Sequence, residues 1–154
     1  MQTFLPYSDF KQCAKVLDGK RLRKQLVECK QILDTLEAIA KNTKVAWMNH
    51  PAVRMWQGYE YALIDYFTVM KMEALSRGYT SRISFPVPTS YNKPKWLGNK
   101  FLHLSHQANL IRKNEEYYKP FFGNVSPEKG YWWPIITGPN SKKHTEMWEN
   151  KCLN

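Results

Sequence analysis

Residues 17–33 read LDGKRLRKQLVECKQIL, and their spacing decides the fold class. From Lys20 onward Leu22, Leu26, Cys29, Leu33, Leu36 and Ala40 recur at steps of four and three. That is one apolar stripe on a helix running to about Lys41. Asp18 suits its N-cap, and four basic residues, Lys20, Arg21, Arg23 and Lys24, crowd its opening turns. Arg21, Gln25, Glu28 and Ile32 form a second stripe beside the first, so polar groups line one edge of the core. Like charges at a helix N-terminus oppose its macrodipole. Lys20, Arg21 and Lys24 are therefore read as placed for an anion such as a phosphate.

Working outward, Ser8 reads as the N-cap of a short helix over SDFKQCAKVL, residues 8–17. After a break at Asn42 and Thr43, Pro51 suits the first turn of a third helix, with Trp56, Leu63, Phe67, Met70 and Ala74 as its buried stripe and Gly78 as its stop. Pro86, Pro88 and Pro94 make the run from Arg82 to Gly98 an extended loop. A fourth helix is predicted over residues 99–113, burying Phe101, Leu104, Ala108 and Ile111. Beyond it, EEYYKPFFGN and YWWPIITGPN carry Pro and Gly that forbid a long helix, and residues 141–152 add a short one. No period-two alternation is present, so the fold is expected to be all-α, with 154 residues and 43% hydrophobic content sufficient for a single compact domain.

Lys and Arg outnumber Asp and Glu by 23 to 13, a net charge of +10 that points to a polyanionic partner. From Ala74 to Asn114 there are basic residues and no acidic one. Cys13, Cys29 and Cys152 are odd in number and widely spaced, so they read as reduced thiols rather than a disulfide framework. No apolar run approaches the roughly 18 residues of a membrane span, and MQTFLPYSDF lacks the pattern of a leader, so a cytoplasmic protein without membrane contact is expected. No phosphate-cradling Gly loop, nucleophile elbow or H-E-x-x-H occurs. His103 and His106 stand one turn apart without further ligands beside them, so no metal and no cofactor is expected.

The binding constellation is then basic and aromatic. In HPAVRMWQGYE, His50, Arg54, Trp56, Tyr59 and Glu60 could hold a phosphate and stack a base. His106, Asn109 and Lys113 share a helix face suited to the rim of a groove, and Tyr117 and Tyr118 bring stacking rings beside Lys119.

These same residues carry a resemblance. MQTFLP at the start, LDGKRLRKQLVE at 17–28, HPAVRMWQGYE at 50–60, LHLSH at 102–106 and the run to Gly123 resemble the pyrimidine dimer DNA glycosylase family of the T4 endonuclease V type, more closely its bacterial and phage branch. The resemblance spans roughly residues 1–123 and implies a compact helical fold that binds duplex DNA, flips a nucleotide and cleaves its glycosidic bond. In that family the α-amine of an N-terminal threonine attacks the sugar C1′ to form a Schiff base, assisted by a helix glutamate. An α-amine titrates near 8, which makes it a better nucleophile at neutral pH than a lysine.

This chain departs from that pattern. Its threonine is Thr3, behind a Gln2 too large for efficient removal of Met1, so the available amine is that of Met1. Gln25, within Lys24-Gln25-Leu26, aligns with the glutamate, and an amide cannot act as a general base; Glu28 is the nearest carboxylate, one turn on. Two functions follow as expectations. One is a DNA glycosylase with lyase activity, using the Met1 amine or a lysine such as Lys24 as nucleophile and Glu28 as the acid-base group. The other is a non-catalytic binder of a nucleotide or cyclic nucleotide signal in the same pocket, such as a phage counter-defence sponge.

Overall fold

The structure, a computed structural model, describes residues 1–123, 125–126 and 130–134. Among these there are six helices and no strand, an all-α fold. The helix expected over residues 141–152 and Cys152 lie outside the described residues. The chain divides into two compact units, Met1–Phe4 with Asp9–Lys95 and Leu5–Ser8 with the described residues from Trp96 on.

The first unit is built on α2, Gly19–Ala40, which packs along α4, Glu60–Ser76; α4 also carries α1, Phe10–Val16, and α2 carries the short α3, Pro51–Arg54. Asp18 caps α2, accepting from the Arg21 N–H at 2.9 Å. The cap of α1 is Asp9 rather than Ser8: its carboxylate takes the Gln12 N–H at 2.8 Å, a stronger acceptor than a hydroxyl. On α2 the buried face is wider than a single stripe. Ile32 is fully buried where Leu33 was expected, and Gln25, Glu28 and Thr35 go inside beside Leu22, Leu26, Cys29 and Leu36.

The third helix is two. α3 ends at Arg54 and α4 starts at Glu60, because the chain turns at Gly58 with φ +83°, which lets the Tyr59 N–H reach the Trp56 carbonyl. Trp56 therefore sits in the turn, though it is buried as expected of a core residue. Phe10, Trp56 and Tyr66 form the aromatic centre, with ring centroids 5.3–6.5 Å apart. Arg77, the C-cap of α4, closes the end of α1: its guanidinium donates to the carbonyls of Ala14, Lys15 and Leu17 at 2.6–3.1 Å while Nε pairs with Glu73. These are the carbonyls a helix end leaves without partners. The proline-bearing loop is extended as predicted, pinned by Lys71 on the Ile83 carbonyl and by Phe85 against Phe67.

In the second unit α5, Lys100–Lys113, is capped by Asn99 and packs on α6, Glu115–Phe122, which tolerates Pro120 inside it. The buried face of α5 agrees only in part with the apolar one expected. Ala108 and Ile111 are buried as expected, while Phe101 and Leu104 are half-buried and Leu102, Ser105, His106, Asn109 and Leu110 go inside as well. Polar residues can go inside because they are satisfied there: Ser105 donates to the Leu102 carbonyl and Asn109 to the Ser105 carbonyl, each at 2.8 Å.

A candidate active site at the N-terminal amine

The first four residues run extended against α2 and are held at every step. The Gln2 N–H donates to Glu28 Oε2 at 3.1 Å, and the Phe4 N–H donates to Gln25 Oε1 at 2.9 Å. Tyr66 Oη lies 2.8 Å from both the Phe4 carbonyl and Gln25 Oε1. Between these points Thr3 turns the other way, and its hydroxyl accepts from Trp56 Nε1 at 2.9 Å.

This path brings the Met1 amine to 3.7 Å from Glu28 Oε2, with the two side chains 6% and 7% exposed. Lys24 reaches the other oxygen, Oε1, at 3.5 Å while its own side chain stays in solvent. Glu28 thus gathers an amine, a backbone N–H and an ammonium around one nearly buried carboxylate. Such a carboxylate can take a proton from the amine and stabilise positive charge that develops beside it. His50 caps α3, its Nδ1 accepting from the Ala52 N–H at 3.1 Å. Burial lowers its pKa, the nearby Met1 amine lowers it further, and Glu28 opposes both. Its imidazole is therefore neutral at pH 7, beside the amine and the carboxylate.

The expected catalytic positions thus separate. Met1 and Glu28 come together, and Gln25 and Thr3 do not join them as reacting groups. Gln25 is fully buried, its oxygen taken by Phe4 and Tyr66 and its Nε2 without a partner. Thr3 is fully buried as well.

Of the expected binding residues in this unit, Lys20 is exposed at the α2 start and Arg21 is drawn onto Asp18, Nη1 to Oδ2 at 2.5 Å. Arg54 donates to Gln57, and Glu60 accepts from the Gly58 N–H. Trp56, expected as a stacking platform, is buried in the aromatic core, so no base can reach its face. Tyr59 lines a cavity of about 350 Å³ with Tyr61, Ser90, Tyr91 and Asn92.

The others belong to the second unit. His106 and Asn109, expected at a groove rim, are fully buried, because His106 Nδ1 accepts the Leu5 N–H at 2.9 Å and Asn109 serves the helix backbone. Burial, with a smaller contribution from His103, pushes His106 down to a pKa of about 3. His103 is engaged too, Nδ1 on the Leu5 carbonyl and Nε2 accepting from the Gly98 N–H. Among the described residues no group of three potential metal ligands occurs. Lys113 is exposed; Tyr117 is half-buried, and Tyr118, expected to stack on bases, is buried against Phe122.

Two residues of the first unit escaped the sequence reading. Tyr66 reads as one more apolar helix position, and only its hydroxyl marks it as the pin for Phe4. Trp47 lies in a short mixed run between helices, Asn42 to Asn49, with no periodicity to single it out; it is 61% exposed and stands edge-on to His50, centroids 5.6 Å apart.

The family model described as pyrimidine dimer DNA glycosylase matches residues 1–86, which contain Met1, Glu28, Lys24 and His50. No curated protein and no solved structure matches the chain.

Proposed function

Because the chain belongs to the pyrimidine dimer DNA glycosylase family, we propose that it is a DNA glycosylase with lyase activity whose nucleophile is the Met1 α-amine and whose acid-base group is Glu28. The observation that supports this is the amine 3.7 Å from a nearly buried carboxylate, since the chemistry needs that pair. Glu28 accepts a proton from the amine, and the freed lone pair forms a bond to C1′ as the glycosidic bond breaks and the base departs with a proton. Loss of the second amine proton opens the sugar ring at C1′–O4′ and leaves an imine. Removal of a C2′ proton from that imine by the Glu28 carboxylate forms the C2′–C3′ double bond as the C3′–O bond breaks, and release of the 3′ phosphate cuts the strand. His50 is neutral at working pH, so it adds no competing positive charge near the amine. The site requires no metal. Exposed basic residues such as Lys20 would hold the DNA backbone.

The test is borohydride trapping on duplexes carrying an abasic site or a pyrimidine dimer, with intact-mass analysis to read the N-terminal residue. A one-to-one covalent adduct that disappears when the α-amine is acetylated supports the reading. Tight capture of a nucleotide or cyclic nucleotide with no adduct would turn it to a non-catalytic binder. Absence of both DNA and nucleotide binding at physiological salt ends it.

A further inference from the structure

Trp47 combines three properties that packing does not explain. It is largely exposed, and its φ is +71°, a left-handed backbone that is costly for a bulky side chain. Among the described residues the other non-glycine with positive φ is Asn42, a residue type that accepts it readily. The turn itself, closed by the His50 N–H on the Trp47 carbonyl at 2.8 Å, would form with Asn or Gly in that place. The strain therefore serves to hold a large ring out in solvent. That ring is set edge-on against His50, which lies close enough to the Met1 amine and Glu28 for their charges to act on it. The exposed Lys44 precedes it by three residues, a cation suited to a phosphate.

Resting on the glycosylase reading above, we propose that Trp47 is the ring that enters the DNA base stack beside the reacting nucleotide. A nucleotide turned out of a duplex leaves a gap between base pairs, and closing that gap would draw it back. An inserted apolar ring fills the gap, offsets the lost stacking and keeps C1′ at the amine for the attack. The π-face of the indole serves any neighbouring base, so Trp47 acts without regard to sequence.

The experiment uses the full chain and a duplex with 2-aminopurine next to a tetrahydrofuran abasic analogue, whose fluorescence falls when an aromatic ring stacks on it and which permits no chemistry. Borohydride trapping on a true abasic duplex is read in parallel. Trp47→Ala is expected to abolish the fluorescence quench and weaken binding about tenfold or more, while Trp47→Phe keeps most of the affinity. Trp47→Gly is expected to bind as poorly as the alanine variant with a Tm no lower than that of the parent protein, which separates lost contact from lost folding. Fluorescence and affinity in the alanine and glycine variants equal to those of the parent protein would overturn the proposal, as would a parent protein that gives no quench. A Trp47-dependent quench without any covalent adduct would uphold Trp47 and overturn the glycosylase chemistry. An undiminished adduct in Trp47→Ala with the parent's fluorescence would do the reverse.

Discussion

Gln25 and Glu28, three residues apart on α2, take hold of the N-terminal segment at two alternate residues, Phe4 and Gln2. Helical spacing on one side thus matches extended spacing on the other. The two side chains divide the work: the amide sits in the core and fixes the N-terminal segment, and the carboxylate faces the amine. Glu28→Gln keeps an acceptor for the Gln2 N–H and loses the base. Single-turnover trapping should fall by about 10²–10⁴-fold while the thermal unfolding curve stays close to that of the parent protein. A fall below tenfold would remove Glu28 from the acid-base role.

Gln25→Glu places a carboxyl at the position where the resemblance leads one to expect the family's glutamate, and the structure predicts that it does not help. The new carboxyl would be fully buried, so desolvation would raise its pKa above the roughly 4.3 of the unfolded chain. A raised folded pKa means stability that is present at low pH and lost as pH rises through it. The variant should match the parent at pH 4 and be about 1–3 kcal/mol less stable at pH 7, with no gain in trapping rate. Urea unfolding at the two pH values checks this.

Arg77 is a structural residue whose loss should be felt in unfolding rather than in DNA binding. Replacing it with Ala frees three carbonyls at the end of α1 and should cost about 2–3 kcal/mol. Arg77→Lys should recover little of this, because one ammonium cannot reproduce the forked geometry. Denaturant midpoints for the two variants decide it.

His106 gives an acid-sensitive stability. Its folded pKa of about 3 lies below the usual 6.5, so the unfolded chain binds the proton more readily. Stability is complete above about pH 6.5 and falls as pH drops toward 3, by at most about 1.4 kcal/mol per pH unit from this group. His50 and His103 are lowered in the same direction and add to it. His106→Asn keeps an acceptor for the Leu5 N–H and cannot titrate in this range, so Tm against pH should be flatter between pH 4 and 6.

What the sequence revealed and what it hid follow one rule. Long, regularly apolar segments such as α2 and the buried stripe of α4 are legible because burial repeats with the helix. The break at Gly58 was missed because Pro51 and Leu63 both suit helices and nothing in the periodicity marks the turn between them. The inward turn of α5 was missed because Ser105, His106 and Asn109 look solvent-facing until their backbone partners are known. Within the site, Glu28 was recognisable as a carboxylate near the aligned position. Its meeting with Met1 depends on contacts across 26 or so residues of chain, and those are invisible to local pattern. Trp47 was hidden for the opposite reason, since its importance lies in a backbone angle that no residue type announces.

The capped start of α2 also bears on how the protein ages. Asp-Gly is among the dipeptides that readily cyclise to a succinimide and reopen as isoaspartate, a step in which the glycine nitrogen attacks the aspartate side-chain carboxyl. Here the Asp18 carboxylate is occupied by the Arg21 N–H and guanidinium, and its ψ of 159° sets it in the capping geometry. Gly19 in turn is pressed against Tyr79, whose hydroxyl would lie 2.3 Å from any added Cβ, so a side chain at residue 19 would require Tyr79 to move aside. The chain keeps a chemically fragile bond and shields it by folding. Isoaspartate at residue 18 should then accumulate in samples that have spent time unfolded, a slow clock for the opening of α2.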